Sequence, residues 1–346
     1  MTARLHLGAP PLRVQRLQLA DALALAPGDA SPCDVLGAIA YGPPDSPGGL
    51  PTVNASVLCA GGAMADAWRA SEHVASGTTG AVRWRCDGHW MFGAIDLDER
   101  IEQTGVAALA ERAYRDLFAA LAETGCTHLL RLWNYLPQIN GDGGGMERYR
   151  QFNVGRHRAF VDAGQAAFEG APAACALGIH RGALGIRFLA GRTAPVAIEN
   201  PRQVSAYRYP TDYGPRAPSF SRAALADIGG GDVALFISGT ASIVGHETVH
   251  AGRLLPQVQE TLRNLAAVIA AAEAHTSARF DLAALDCVVY VRHASDAALV
   301  RQALQEALGS AAHTVMHAVY LEADICRQDL LVEIEAHSVA RGALRA

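Results

Sequence analysis

Apolar positions along the chain switch between two periods, and the order of the switches repeats. HWMFGAID (89–96) alternates as a strand does, and VAALAERAYRDLFAALAETG (106–125) sets apolar residues at helical three- and four-residue steps. THLLRLWNYLP (127–137) returns to the strand pattern. A helical YRQFNVGRHRAFVDAG (149–164) follows, then strand-like APAACALGI (171–179) and LGIRFLAG (184–191). The series starts again with strand VALFISGTASI (233–243), helix LLPQVQETLRNLAAVIAAAEA (254–274) and strand DCVVYVRHAS (286–295). Helix DAALVRQALQEAL (296–308) and strands HTVMHAVYL (313–321) and DLLVEIEAHSVA (329–340) complete it. Phe92 and Phe236 lie 144 positions apart, and Ala190 and Ala336 lie 146 apart. Six elements in one order predict a duplicated unit.

Each unit predicts an α+β layer, a mixed sheet with helices packed on one face. The division expected is a first domain over 1–191, a connector over 192–232 and a second domain over 233–346. Residues 1–88, with Gly/Pro clusters at 42–50 and 77–80, are expected to add strands to the first half. The segment RTAPVAIENPRQVSAYRYPTDYGPRAPSFSRA (192–223) is long for a connector. Its three tyrosines argue against disorder, which leaves a functional loop.

Composition narrows the partners. Half the residues are hydrophobic, and the net charge of −5 comes with basic residues scattered in runs no longer than two. No nucleic-acid surface is implied. The seven cysteines stand singly without a CxxC, which fits reduced thiols in a cytoplasmic protein. The proline-broken N-terminus reads as no signal peptide. The most apolar helical stretch, 265–274, is about half the ~20 residues a membrane span needs.

The second unit resembles the RidA (YjgF) family in its SGT turn (238–240), the Gln-rich helix ending in Asn264 and the closing CRQDLLVEIEA (326–336). The fuller resemblance, over roughly residues 80–340, is to the chorismatase family, which joins such a domain to a related N-terminal one. It is carried by RLWNYLPQIN (131–140), ERYRQFNVGR (147–156), SAYRYPTDYGPRAPSFSRA (205–223), FISGTASIVGHETVH (236–250) and ADICRQDLLVEIEA (323–336). The fold it implies is two RidA-like, chorismate-mutase-like domains. The activity it implies is cleavage of chorismate, without cofactor or metal, into pyruvate and 3-hydroxybenzoate, with 4-hydroxybenzoate as a further product of some members. A hydrolytic branch instead gives a dihydroxycyclohexadiene carboxylate. The benzoate-forming branch carries Gly and Cys where the hydrolytic branch carries alanines, and Gly239 and Cys326 stand in those places. RidA relatives are trimers, so a monomer and a homotrimer both remain open.

Cleaving an enol ether needs a strong acid at its terminal carbon, and a carboxyl kept protonated near neutral pH must be desolvated. Glu333 and Glu335 share one face of an apolar strand, with Val332 and Ile334 on the other. Read alone, both carboxyls face solvent. The resemblance selects Glu333 as the acid, with Glu335 second, and the equivalent place in the first unit holds Arg187. Two substrate carboxylates call for arginines. Arg148, Arg156, Arg216 and Arg222 are the candidates, with Tyr149 and Tyr209 beside them. The resemblance selects Tyr149, Arg156, Tyr209 and Arg222, then Arg216. Tyr149 and Arg156 are seven apart and share a helical face. Gly239 would let substrate approach the backbone, and Cys326 could steer the ring's fate.

His246-Glu247-Thr248-Val249-His250 fits the HExxH zinc pattern, but zinc chemistry there requires a helix. Here glycines flank the motif and a hairpin is expected, which sets the imidazoles ~13 Å apart. The alternatives to a chorismatase are an imine deaminase of RidA type and a non-enzymatic metabolite-binding protein. The deaminase would need an arginine on strand 313–321, and none is there.

Overall fold

The computed structural model describes residues 11–24, 34–41, 51–58, 64–70 and 73–345. Each predicted repeat closes into a seven-stranded sheet. The first runs Asp324–Ile325, Ala173–Ile179, His128–Pro137, Leu184–Gly191, Trp90–Leu97, Val82–Cys86, Ala75–Thr79. The second runs Ser56–Val57, Val319–Glu322, Asp286–Val291, Val332–Arg341, Asp232–Ala241, Ala223–Asp227, Val196–Ile198. Written this way, equivalent strands of the two repeats occupy equivalent places. In each sheet the final strand of the unit lies between the unit's first strand and the one after the long helix, antiparallel to both. The α+β reading holds, with mixed sheets and helices on one face.

Several expectations change in detail. Residues 13–69 do not simply extend the first sheet: four of their strands, Arg13–Gln18, Met64–Arg69, Val35–Tyr41 and Thr52–Val53, form a sheet of their own. The Gly/Pro cluster at 42–50 lies outside the described residues, while the one at 77–80 belongs to the hairpin joining Ala75–Thr79 to Val82–Cys86. The stretch 192–232 is not all loop, because Val196–Ile198 and Ala223–Asp227 are strands of the second sheet. His313–His317 is a short helix, and only Val319–Glu322 is strand. The SGT string is no turn. Ile237 pairs with Ala336 and Thr240 with Ile334, so Ser238 and Gly239 together oppose Glu335 in a β-bulge.

Three apolar layers hold the sheets. Helices Val106–Thr124 and Arg148–Asp162 cover the outer face of the first sheet, and Leu254–Glu273 and Ala297–Leu308 that of the second. The first long helix ends at Gly125 in a left-handed conformation (φ 72°), as a C-terminal glycine allows. The inner faces of all three sheets meet in one central core, where Trp68 stacks on Phe92 at 5.3 Å and meets Trp133 at 5.1 Å. Helix Arg148–Asp162 lies unusually close to its neighbour. A β-carbon at Gly155 would stand 1.9 Å from the Ala107 carbonyl oxygen, so only glycine permits the approach. That contact fixes the helix from which Tyr149 and Arg156 project.

Among the described residues no helix is long and apolar enough to cross a membrane.

Candidate active site

The alternation of Val332–Arg341 decides the direction of each side chain. Val332, Ile334 and Ala336 pack outward under the helices, which turns Glu333, Glu335 and His337 toward the interior between sheets. Glu333 is only 4% exposed, so the expectation of a solvent-facing strand fails. Its carboxyl opens onto a hollow of about 890 Å³ at the seam of the two repeats. Burial pushes its pKa up to about 8, and the Glu335 charge adds to the rise. Arg131, Arg222 and Arg292 pull the other way. Below that pH Glu333 carries a transferable proton.

Seven sequence-selected residues line this one hollow: Glu333, Gly239, Cys326, Tyr149, Arg156, Tyr209 and Arg222. They arrive from four separate chain segments, 147–156, 205–223, 236–250 and 323–336. Arg216 is exposed and does not line it, and Arg148 is held away by Glu99 and by the Pro137 carbonyl at 2.9 Å. Gly239 sits against the acid itself. A β-carbon there would lie 1.9 Å from the Glu333 Oε1 and 2.8 Å from its Cδ. The bulge is anchored beside it by Ser238, whose hydroxyl donates to the Ser221 carbonyl (2.5 Å) and accepts from the Ala174 amide (2.9 Å). Gly239 therefore makes room first for the acid's own carboxyl.

The arginines are fixed by rings and carbonyls. Arg156 lies over Tyr114 and Phe160, at 5.2 and 5.3 Å, and donates to the Ser219 carbonyl at 2.7 Å. Arg222 lies over Phe220 at 5.1 Å and donates to the Val204 carbonyl and the Tyr209 hydroxyl, both at 2.8 Å. Arg327, which sequence reasoning did not select, packs over Tyr213 at 4.2 Å and Tyr209 at 5.2 Å. Arg156 Nε, Arg222 Nε and one terminal nitrogen of Arg327 are buried without a hydrogen-bond partner. Buried donors of this kind can take an acceptor from water or from a bound molecule. Burial also holds the Tyr149 phenol well above its ordinary range and pushes the Cys326 thiol up to about 12, so both stay neutral.

Sequence reasoning also passed over Tyr213 and Cys175. Arg327 adjoins Cys326, and Tyr213 lies within the same SAYRYPTDYGPRAPSFSRA string as Tyr209 and Arg222, so proximity to selected residues was a usable signal. Cys175 gave none: it reaches the hollow only because Ala173–Ile179 crosses behind the acid, 3.2 Å from where a β-carbon at Gly239 would be. The HExxH string lies on a hairpin in which Val244 pairs with Glu247, not on a helix. Tyr213 donates to the His246 carbonyl at 2.7 Å, and Glu247 and Thr248 form part of the hollow's wall. Among the described residues no three His, Cys, Asp or Glu side chains are grouped to hold a metal ion.

A buried carboxyl whose neutral form is favoured, beside buried arginines in the seam of a duplicated α+β fold, makes a site suited to an anionic small molecule. Residues 66–190 match the family described as chorismatase FkbO/Hyg5-like, N-terminal. This chain belongs to the chorismatase family. A 3-hydroxybenzoate synthase of Streptomyces hygroscopicus is 41% identical over 284 residues, spanning 79% of this chain and 80% of that protein. A chorismatase of Streptomyces rapamycinicus is 40% identical over 280 residues, spanning 79% and 81%. The crystal structure of a chorismatase at 1.08 Å resolution superposes with a TM-score of 0.80 at 32% identity, covering 96% of this chain and 99% of that one.

Proposed function

We propose that this protein cleaves chorismate into pyruvate and 3-hydroxybenzoate, with Glu333 as the general acid. The observation that carries this reading is the Glu333 carboxyl, buried, facing the hollow and neutral up to about pH 8. Glu333 donates its proton to the terminal carbon of the enolpyruvyl group, which becomes an oxocarbenium ion. The ring C–O bond then breaks and the ether oxygen leaves as the keto oxygen of pyruvate. The ring keeps its own hydroxyl, which shifts to the neighbouring carbon. A ring proton returns to the Glu333 carboxylate as the ring becomes aromatic, so the atoms balance without added water.

Arg156, Arg222 and Arg327 supply donors for the two substrate carboxylates, and Tyr209 is held in place by Arg222. Gly239 and Cys326 support the benzoate-forming outcome over the hydrolytic one. The test is incubation of the pure protein with chorismate in ¹⁸O-labelled water, followed by product chromatography. The expected result is pyruvate with unlabelled 3-hydroxybenzoate. A non-aromatic diene acid, or unchanged chorismate, would sink the proposal.

A further inference from the structure

Behind the acid, one pleat further along the same strand, lies a second buried carboxyl that does not line the hollow. Glu335 is 3% exposed and accepts a hydrogen bond on each oxygen: from Tyr290 at 2.8 Å and from Arg131 at 2.5 Å. Tyr290 in turn meets the Tyr135 hydroxyl at 3.2 Å. The Arg131 guanidinium, buried with it, makes the two an ion pair. Burial opposes the charge of Arg131, but Glu335, together with Cys175, Tyr290 and Tyr135, outweighs it, and the guanidinium is held above its ordinary range. The pair is one-armed, for the other terminal nitrogen of Arg131 has no hydrogen-bond partner and its guanidinium lies over Trp133 at 5.3 Å. A buried ion pair is a weak stabiliser, often matched by apolar residues of the same volume. Its presence beside an acid calls for another role.

The charges around Glu333 supply one. Its own strand presents Glu335, about 7 Å away by strand geometry. The strand His128–Pro137 presents Arg131, the residue before Ala223–Asp227 is Arg222, and the residue after Asp286–Val291 is Arg292. Cys175, Cys326 and Tyr149 face it as well, and burial keeps all three neutral. Three cations therefore favour ionisation of the acid; burial opposes them first, and the Glu335 charge adds to that opposition. Resting on the reading of Glu333 as the proton donor, we propose that Glu335 is a positioning residue whose fixed negative charge helps to hold Glu333 in its protonated form against Arg131, Arg222 and Arg292.

The test uses Glu335→Gln in the full-length protein, since glutamine keeps the shape and can still accept from Tyr290. Infrared titration follows the carbonyl band of the protonated Glu333 carboxyl, assigned by its loss in Glu333→Gln. In Glu335→Gln that band should vanish at a pH at least one unit lower than in the unmodified protein. The alkaline limb of kcat/KM for chorismate should move with it, so that turnover above the limb falls tenfold or more. Should the single variant fail to fold, Arg131→Met with Glu335→Gln removes both charges, and a smaller move in the same direction is expected. A band that titrates where it does in the unmodified protein overturns the proposal. The infrared arm needs no substrate, so a failure to turn over chorismate would count against the proposed reaction and leave the role of Glu335 to be decided separately.

Discussion

Replacing Gly239 by alanine adds one methyl group where the Glu333 carboxyl now lies. The new carbon would stand 1.9 Å from Oε1, while real β-carbon contacts essentially never fall under 3.0 Å, so the oxygen must withdraw by about 1.1 Å. The obstacle is the far end of a flexible side chain, so the backbone can stay where it is. A displacement of about 1 Å at a reacting group costs on the order of 100-fold in rate, equivalent to roughly 2.7 kcal/mol of barrier. We expect 3-hydroxybenzoate formation, followed by chromatography at saturating chorismate, to fall about 100-fold in Gly239→Ala. The thermal midpoint should change by no more than about 4 °C, as suits a loss under ~1 kcal/mol in a protein of this size. A well-folded variant that forms 3-hydroxybenzoate at the original rate would refute the argument that this glycine exists to seat the acid.

Glu333→Gln should abolish turnover and, at the same time, stabilise the fold. Between pH 4.5 and about 8 the folded protein keeps a proton that the unfolded chain releases. Stability is therefore fullest below pH 4.5 and declines as the pH rises, by roughly 1.4 kcal/mol per unit. Glutamine escapes this decline, so urea midpoints measured at pH 5 and pH 7.5 should diverge between the two proteins, the variant leading at the higher pH. For the unmodified enzyme, kcat/KM should drop tenfold per pH unit above about 8, where Glu333 loses its proton; a profile flat to pH 9.5 would contradict it. Arg222→Met should lower kcat/KM by 10²-fold or more, in keeping with loss of a charged hydrogen bond to substrate, whereas Arg216→Ala should leave the kinetics within a factor of two.

The duplicated unit was legible because its strands and helices carry opposite periods in an order that occurs twice. HTVMH was misread because five residues of mixed pattern suit a helical turn as well as a strand, and only packing against the 3-10 turn Leu282–Ala284 decides. The separate N-terminal sheet was hidden for a similar reason: its strands are short, and their partners are set by long-range pairing such as Arg13 with Arg69. In the site, Glu333 and Gly239 were named from motif resemblance, but that one makes space for the other is a fact of bulge geometry. Glu335 looked like a spare acid. Its partner Arg131 lies 204 positions away, a distance no periodicity can bridge.

Each large sheet ends in a short strand lent by a remote part of the chain: Asp324–Ile325 completes the first, and Ser56–Val57 completes the second. The two repeats are thus laced together, and neither can be excised whole. Cutting the chain between the repeats would strip an edge strand from each large sheet, so the two halves hold their shape only together.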